Sequence, residues 1–490
     1  MAGIGFILQR LTRRDDLSGL ATAYAGASLI AAGPWLFTII SLGGVNVFAA
    51  SILAPETIAL FRIITIYNFA FSLILAGPFT LTMTRRLADL IFVGRTEEAP
   101  AMLMAALAIN FTLQAIIGIP FYFFACTLTP VEATLAMVNF FIIGGIWIVS
   151  IFLTALKDYG SITRIFGLGM FLAFLGALGL GMAFDGPGLL AGFGAGMGII
   201  LFSLIARVLV EYPYRLTAPF AFLRLLRSHW ELPLCGFLYN LAIWVDKFVM
   251  WSGPEAQVQA RALISYPPYD SAMFLAYLTI LPGMTVFLVN IETRFFVNYA
   301  RFYRDVQEHA TYERIQDNHR SLVATLTHGL RNIAVIQAMI SFAFAVLAPL
   351  VLDFLSVDYG EVGIFRFGVL GALCHAMLVF STVILSYFDL RRPLLIIYSC
   401  FLVLNTGLTA LSMHLGQSWY GYGYFATTAI TLVVSYVFTS RAISRLPYLT
   451  FIANNPSLRP AGVSTGIAVF ANQKPLTTTA GPGPTAKTAS

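Results

Sequence analysis

Long apolar stretches recur along this chain of 490 residues, and they constrain its fold more than any other feature. The hydrocarbon core of a bilayer is about 30 Å thick, and a helix of roughly 20 apolar residues crosses it. Stretches of that length are typical of membrane-spanning helices. They predict about twelve spans, near residues 21–50, 57–84, 99–126, 134–156, 162–184, 187–210, 232–251, 271–290, 326–351, 362–388, 393–414 and 419–440.

The overall composition supports lipid as the main solvent of the chain. Hydrophobic residues make up 58% and charged residues only 11%, and the mean hydropathy is +0.81. This is more apolar surface than a soluble core of this length buries. We therefore predict an all-α integral membrane protein, with no separate soluble domain.

The basic residues predict the orientation of the helices. Arginine and lysine fall between alternate pairs of spans, as in Arg85, Arg86 and Arg95, whereas the opposite loops are mostly acidic. Because retained positive charges mark the cytoplasmic side, both termini are predicted to be cytoplasmic in a bacterial inner membrane. The net charge of +6 is explained by this orientation, and we expect no nucleic-acid partner.

Two longer cytoplasmic connections divide the spans into two sets of six. The apolar residues of 218–232 and of 291–325 recur at helical spacing opposite basic ones, which predicts helices on the membrane surface or, for 291–325, a docking segment for a partner. The predicted regions are an amphipathic N-terminus (1–20), an N-lobe (21–210), a linker (211–231), a C-lobe (232–440) and a largely disordered cytoplasmic tail (441–490).

Charged residues inside spans are the sharpest functional signal. Each costs about 2.5–3.5 kcal/mol at the bilayer centre on insertion scales, so it should face protein or water. The residues of this kind are Arg62, Asp246, Lys247, Arg331 and Arg366. We interpret them as candidates for a shared cavity or a gate, with Asp246 also a candidate proton carrier. For Arg62 and Arg366, extension of the side chain to the nearer interface is an equal alternative.

Aromatic and amide side chains within spans are candidates for sugar contact. Sugar rings pack on aromatic faces, although most such residues in a membrane protein face lipid or the core. The candidates are Tyr67, Asn68, Tyr239, Asn240 and Trp244. Helix breaks at Pro34, Pro78 and Pro282 predict hinges, with simple packing irregularity as the alternative.

The remaining sequence motifs indicate a structural role and no catalytic site. The run from Gly186 to Gly198 has small residues four apart, which predicts close packing on the preceding helix. No paired histidines, nucleotide site or positioned base is present, so we expect no metal, no cofactor and no enzymatic activity.

Two blocks of sequence resemble one known family. The opening MAGIGFILQRLTRRDDLSGLATAYAGASLIAAGPW and the segment Ile66 to Arg95, IYNFAFSLILAGPFTLTMTRRLADLIFVGR, are similar to the start and second helix of the PelG family. The resemblance implies the fold of the multidrug/oligosaccharidyl-lipid/polysaccharide exporter (MOP) superfamily, two pseudo-symmetric six-helix bundles. It also implies transport of Pel-type exopolysaccharide, an amino-sugar polymer, to the periplasm. The implied partners are a PelF-like glycosyltransferase, PelD-like and PelE-like membrane proteins and lipids.

Other functions stay open at this point. A lipid-linked oligosaccharide flippase or an ion-coupled small-molecule exporter shares the implied fold, and a scaffold that anchors a glycosyltransferase would need the same spans. A newly made N-acetylated polymer is neutral, so Arg62, Lys247 and Arg366 lack an anionic substrate. We therefore favour gating or lobe pairing as the role of these charges.

Overall fold

The computed structural model describes the backbone of residues 17–153, 159–215, 220, 222–355, 359–448 and 450. Side chains are described from residue 33 onward, except at 92, 159, 224, 225, 292, 293 and 359 within those ranges. The first sixteen residues of the predicted amphipathic N-terminus, and the predicted disordered tail from residue 451, lie outside this description.

The first half of the chain forms five long helical elements. They are α1 (Leu17–Ala49), α2 (Pro55–Val93), α3 (Ala99–Pro120), α4 (Pro130–Leu153) and α5 (Tyr159–Glu211). A short 3₁₀ turn, Thr96–Glu98, precedes α3, and a π-turn, Phe121–Ala125, follows it. Helices are expected here because, in lipid, every backbone amide needs a partner within its own segment.

α5 consists of two helices that meet without a loop. Asp185 has φ 54° and ψ −132°, which reverses the chain between the two predicted spans. A Cβ on Gly192 would lie 2.1 Å from the carbonyl oxygen of Gly176, so the two backbones are in direct contact. The predicted packing of the glycine run on the preceding helix is confirmed, and only glycine fits at this contact.

The second half contains shorter elements. They are α6 (Leu223–Ser228), α7 (Glu231–Ala242), α8 (Val245–Met250), β1 (Gln257–Ala260), β2 (Leu263–Ser265), α9 (Pro267–Leu278), α10 (Leu281–Asn290), α11 (Phe296–Gln307), α12 (Tyr312–Val346), α13 (Ala348–Phe354), α14 (Val362–Tyr387), α15 (Arg391–Leu415), α16 (Tyr422–Ser444) and α17 (Leu446–Tyr448). A π-turn, Ile291–Phe295, joins α10 to α11, and 3₁₀ turns cover Tyr359–Glu361 and Gln417–Trp419.

Two predicted spans of the second half are broken helices. The span predicted near 232–251 is divided into α7 and α8, and the one near 271–290 into α9 and α10. Pro282 is near the first residue of α10, where its missing amide N–H leaves no helical bond unmade. The strands β1 and β2 form an antiparallel hairpin between the two broken spans.

Nine segments of the described chain are long and apolar enough to cross a membrane. One of them is α5, which contains two helices. When the two helices of α5 are counted separately, these segments, α1 and the broken α7–α8 segment correspond to the twelve spans that the sequence predicts, in an all-α membrane fold.

Each half of the chain packs mainly on itself. In the first half α4 and α1 pack on α5 and α2 packs on α4, and in the second half α14 and α15 pack on α16. The halves meet where α2 packs on α7 and α1 packs on α10. We call them the N-lobe and the C-lobe.

The segment predicted as an amphipathic loop, 291–325, differs in part from that expectation. α11 occupies its centre, but residues 312–325 begin the long helix α12. Phe302 is fully buried, and Asp305, also buried, accepts a hydrogen bond from Arg314 at 3.0 Å. The apolar face of α11 is therefore covered by α12, with which it forms a cap at the basic end of the bundle. The basic end is the one that carries Arg85, Arg391 and Arg441.

Candidate functional site

The break between α7 and α8 places an aspartate and a lysine inside the C-lobe. Asp246 has no exposed surface, and the side chain of Lys247 is 9% exposed. Lys247 Nζ lies 3.0 and 2.9 Å from the two carboxylate oxygens of Asp246. Tyr269 donates its hydroxyl to the same carboxylate at 3.1 Å. Because buried ions need a partner and hydrogen bonds, these residues form a self-neutralised unit.

Aromatic rings cover the other side of the lysine. Its Nζ lies 4.5 Å from the ring centroid of Tyr277 and 5.8 Å from that of Trp244. A cation over an aromatic face is attracted by the ring quadrupole. The ammonium group is therefore held by a carboxylate and two rings, and it is not presented to a ligand as a free positive charge.

A buried histidine lies beside this pair, hydrogen-bonded on both ring nitrogens. His375 Nε2 is 3.2 Å from the hydroxyl of Tyr239, and Nδ1 is 2.8 Å from the hydroxyl of Tyr424. The rings of His375 and Tyr277 are 6.3 Å apart. The chain Tyr239–His375–Tyr424 therefore joins α7, α14 and α16 through polar contacts in the middle of the C-lobe.

Stacked aromatic rings join the two lobes toward the end opposite the basic one. Tyr67 of α2 stacks on Trp251, with ring centroids 4.8 Å and planes 8° apart. Phe71 stacks on Phe248 at 5.3 Å. The Tyr67 hydroxyl also donates to the carbonyl oxygen of Ile264 at 2.9 Å and accepts from its amide at 3.0 Å. The β-hairpin of the C-lobe is thus fixed to the N-lobe.

The hairpin is closed by a further hydrogen bond. Tyr266 donates its hydroxyl to Glu255. Burial and the neighbouring carboxylate raise the pKa of Tyr266 above its ordinary value, so the hydroxyl stays protonated and remains a donor.

Nearer the basic end, the lobes touch backbone to backbone. A Cβ on Gly77 of α2 would lie 2.6 Å from the carbonyl oxygen of Gly236 of α7, and one on Gly236 would lie 2.0 Å from the carbonyl oxygen of Gly77. Asn240 packs at the same point, with Nδ2 2.7 Å from the position of the Gly77 Cβ. We call the contact of these two glycines the glycine seal.

An ion cluster joins the lobes at the basic end itself. Asp389, between α14 and α15, accepts two hydrogen bonds of 2.8 Å from Arg391. Its Oδ2 also lies 3.3 Å from Nη1 of Arg85 in α2. Asp389 has φ 53°, a left-handed conformation that aspartate tolerates better than most residues. The cluster crosses from the N-lobe to the C-lobe.

The other charged candidates do not join the buried pair. Arg62, Arg331 and Arg366 are all exposed. Arg366 donates to the carbonyl oxygen of Ala345 at 2.9 Å, and Arg331 lies 3.2 Å from His328 Nδ1. The structure therefore does not bring these arginines together with Asp246 and Lys247, and their exposure agrees with side chains that extend to an interface.

The polar and aromatic candidates fall into different environments. Asn68 is buried within the N-lobe, where it accepts from the Tyr122 hydroxyl at 2.8 Å and donates to the carbonyl of Ala136 at 3.1 Å. Tyr239 contacts His375 and packs on Tyr398, with ring centroids 5.1 Å apart. Of the hydrogen-bonding candidates, Tyr67 and Asn240 therefore lie at the lobe interface, whereas Asn68 does not.

The proline candidates also differ from one another. α1 continues through Pro34, and α2 continues through Pro78, which follows the glycine seal directly. Pro282 instead lies beside a real break, after Thr279 and Ile280. Movement at these positions stays a prediction.

Several residues of the site carry no signal in the sequence. Tyr269, Tyr277 and Tyr424 lie in ordinary apolar runs, and only tertiary packing brings them to the buried pair and to His375. Asp389 precedes two arginines in a predicted basic loop, and nothing in that pattern indicates that it contacts the other lobe. In the described part of the chain, no three His, Cys, Asp or Glu side chains group closely enough to hold a metal ion.

Comparisons with known proteins agree with this architecture. A family model described as "PelG: Putative exopolysaccharide Exporter (EPS-E)" matches residues 1–451. No curated protein matches the chain.

Several solved structures share the fold. An outward-facing multidrug resistance MATE family transporter of the MOP superfamily is 14% identical, with a TM-score of 0.62 over 91% of this chain and 99% of its own. A MOP superfamily transporter from Pyrococcus furiosus, described as having a binding pocket of reverse polarity, is 13% identical, with a TM-score of 0.63 over 86% and 96%. An inward-facing MATE transporter is 13% identical, with a TM-score of 0.58 over 85% and 99%. At this identity, the likeness shows a common fold.

Proposed function

We propose, from the premise that this chain belongs to the PelG family of exopolysaccharide exporters, that it moves Pel-type exopolysaccharide across the bacterial inner membrane. The polymer passes from the cytoplasm, on the side of the basic end, to the periplasm. The route lies between the N-lobe and the C-lobe, where α1 and α2 meet α10 and α7.

The observation that carries this proposal is that the buried lysine inside the described spans is already paired. Lys247 is neutralised by Asp246, and Arg62, Arg331 and Arg366 are exposed. A carrier of anionic lipid-linked sugars would gain from an unbalanced buried cation, because a charge in a low-dielectric site binds its opposite strongly. An N-acetylated amino-sugar polymer is uncharged, so it needs no unpaired buried cation.

An exposed aromatic pair of the N-lobe supports a sugar polymer further. Trp35 and Trp147 have ring centroids 6.2 Å apart, and Trp35 is 49% exposed. Trp147 donates its indole N–H to Ser72 at 3.1 Å, which fixes the ring. Such rings offer large apolar faces with little loss of side-chain freedom on binding.

We place the protein in a synthesis and secretion complex, with a PelF-like glycosyltransferase at the basic end and PelD-like and PelE-like proteins in the same membrane. Affinity purification of the full chain from native membranes tests this placement. Recovery of a glycosyltransferase supports it, and its consistent absence would favour a stand-alone exporter of small molecules.

Charge reversal of the buried pair tests the role of the C-lobe in transport. Asp246→Lys would bury two cations side by side, so we expect loss of secreted polymer. Asp353→Lys, at an exposed position, is the matched control. Secreted and intracellular polymer are measured at equal protein levels. Normal secretion from the Asp246 variant would remove the pair from the mechanism.

The location of the polymer separates a transporter from a scaffold. Gly236→Leu would hold the lobes apart at the glycine seal while leaving the cap at the basic end unchanged. If the chain transports, polymer accumulates inside these cells; if it only anchors a glycosyltransferase, polymer is still secreted.

A further inference from the structure

The buried face of α16 carries a row of hydroxyl groups without protein partners. Thr427, Thr431 and Ser435 have no exposed surface, and Thr439 is 6% exposed. Among the described residues, none supplies a hydrogen bond to any of these four hydroxyls. They are spaced four residues apart, so they form one continuous row about 18 Å long. We call it the hydroxyl row.

Other threonines show that this arrangement is unusual. Thr428 of the same helix donates to the carbonyl oxygen of Tyr424 at 3.0 Å, and Thr406 of α15 donates to that of Leu402 at 2.8 Å. A helical threonine ordinarily satisfies its hydroxyl in this way. The four hydroxyls of the row do not, although each has the same carbonyl available one turn earlier.

Burying a hydroxyl without a hydrogen-bond partner lowers the free energy of unfolding, and four such hydroxyls lower it further. In protein interiors, ordered water molecules usually bind to such groups, and each makes about three hydrogen bonds. Valine would fill the three threonine positions with almost the same shape and without the penalty. The row is therefore better explained by water than by dry packing.

The two ends of the row indicate what it connects. Thr439 lies one turn before the end of α16 and two residues before exposed Arg441, at the basic end. Thr427 lies one turn after Tyr424, whose hydroxyl is 2.8 Å from His375 Nδ1. His375 is otherwise enclosed by Tyr239, the Tyr277 ring and the Phe401 ring, with Lys247 beyond Tyr277.

We propose that the hydroxyl row binds a file of water molecules that gives the buried His375–Tyr424 pair access to protons from the basic end. A proton that reaches Tyr424 is taken up by its hydroxyl oxygen as the hydroxyl proton passes to Nδ1 of His375. His375 then carries a proton on each ring nitrogen, and its Nε2–H donates a hydrogen bond to the Tyr239 hydroxyl oxygen. The proposal concerns the C-lobe alone and does not depend on which polymer is transported.

Cysteine accessibility tests whether the row is hydrated. A thiol reacts as the thiolate, which forms only where water reaches it. Single cysteines at Thr431 and Ser435, in a chain whose four native cysteines are replaced by alanine, are exposed to Ag⁺, an ion of about the size of water. Thiols left free are then counted after denaturation with a maleimide of high mass. Val433→Cys is the matched control, because residue 433 lies at the same depth and is 63% exposed on the opposite face.

We expect the cysteines at 431 and 435 to be blocked about tenfold faster than the one at 433, because lipid suppresses ionisation of the control thiol. Equal, slow blocking at all three positions would overturn the proposal. A second measurement uses deuterium exchange at the imidazole C2 carbon of His375 in the otherwise unmodified protein.

Thr431→Val keeps the shape of the side chain and removes the hydroxyl, so exchange at His375 should slow several-fold, while Thr431→Ser should leave it unchanged. Exchange that is equally fast in the Val variant would show that protons reach His375 by another route. Increased thermal stability of the Val variant would show that the row is dry.

Discussion

A single methyl group at the glycine seal tests whether the two lobes close on each other. Gly77 and Gly236 belong to opposite lobes, and ordinary van der Waals contact begins at 3.4 Å. The Cβ of Gly77→Ala would lie 2.6 Å from a carbonyl oxygen, and that of Gly236→Ala would lie 2.0 Å away. The lobes would therefore have to separate by about 0.8 Å in the first variant and about 1.4 Å in the second.

Two opposing effects determine the expected change in the free energy of unfolding. Overpacking of this kind costs about 1–3 kcal/mol. Alanine gains up to about 1 kcal/mol over glycine in a helix interior. We expect Gly236→Ala to lower the free energy of unfolding by about 1–2 kcal/mol, and Gly77→Ala by less. Gly407→Ala is the matched control, because a Cβ there meets nothing within 4 Å, and it should be neutral or stabilising.

The double variant sharpens the prediction. One separation of the lobes accommodates both methyl groups, so Gly77→Ala/Gly236→Ala should be little worse than Gly236→Ala alone, a clear departure from additivity. Unfolding titrations in mixed detergent and SDS micelles measure these free energies. If Gly236→Ala behaves like Gly407→Ala, the seal is not a close contact in the protein and the reasoning fails.

Three other contacts give predictions of the same kind. Asp246→Asn leaves Lys247 buried and unpaired, so stability should fall by about 3–5 kcal/mol, and Lys247→Met added to it should recover most of the loss in the same titration. Tyr67→Phe removes the hydroxyl that is hydrogen-bonded to both the amide and the carbonyl of Ile264. We expect the free energy of unfolding to fall by about 1–3 kcal/mol and the hairpin to be cleaved faster by protease. An unchanged cleavage rate would contradict the attachment of the hairpin through Tyr67. Arg85→Ala opens only a partly exposed ion pair with Asp389 and should cost less than about 1 kcal/mol in the same titration; a loss above about 2 kcal/mol would contradict this.

The fold was largely predictable because lipid makes strong demands on a sequence. Apolar runs of bilayer length can form few structures other than helices, and the twelve crossings follow from them. The breaks within two spans were harder to predict from the sequence. Pro282 marks one break, but nothing around Ala242 distinguishes the turn before α8 from continuous helix, because both consist of the same apolar residues.

The candidate site was predictable only where a charge lies in an apolar run. Asp246 and Lys247 are conspicuous in the sequence for that reason, and the structure pairs them. Asn68 resembles Asn240 in its sequence context, yet one is buried within the N-lobe and the other lies beside Gly77. The difference depends on which face of α2 or α7 meets the other lobe, and apolar segments without a clear polar face do not encode it.

The length of α12 has a mechanical consequence. Its 35 residues extend about 52 Å, so roughly 20 Å project beyond a hydrocarbon layer of about 30 Å. A rigid rod of this length acts as a lever: a tilt of about 10° would carry its outer end some 9 Å sideways relative to the other. α11 is attached to that outer end by the ion pair of Asp305 and Arg314. A protein bound to the cap would therefore be displaced when α12 tilts in the bilayer.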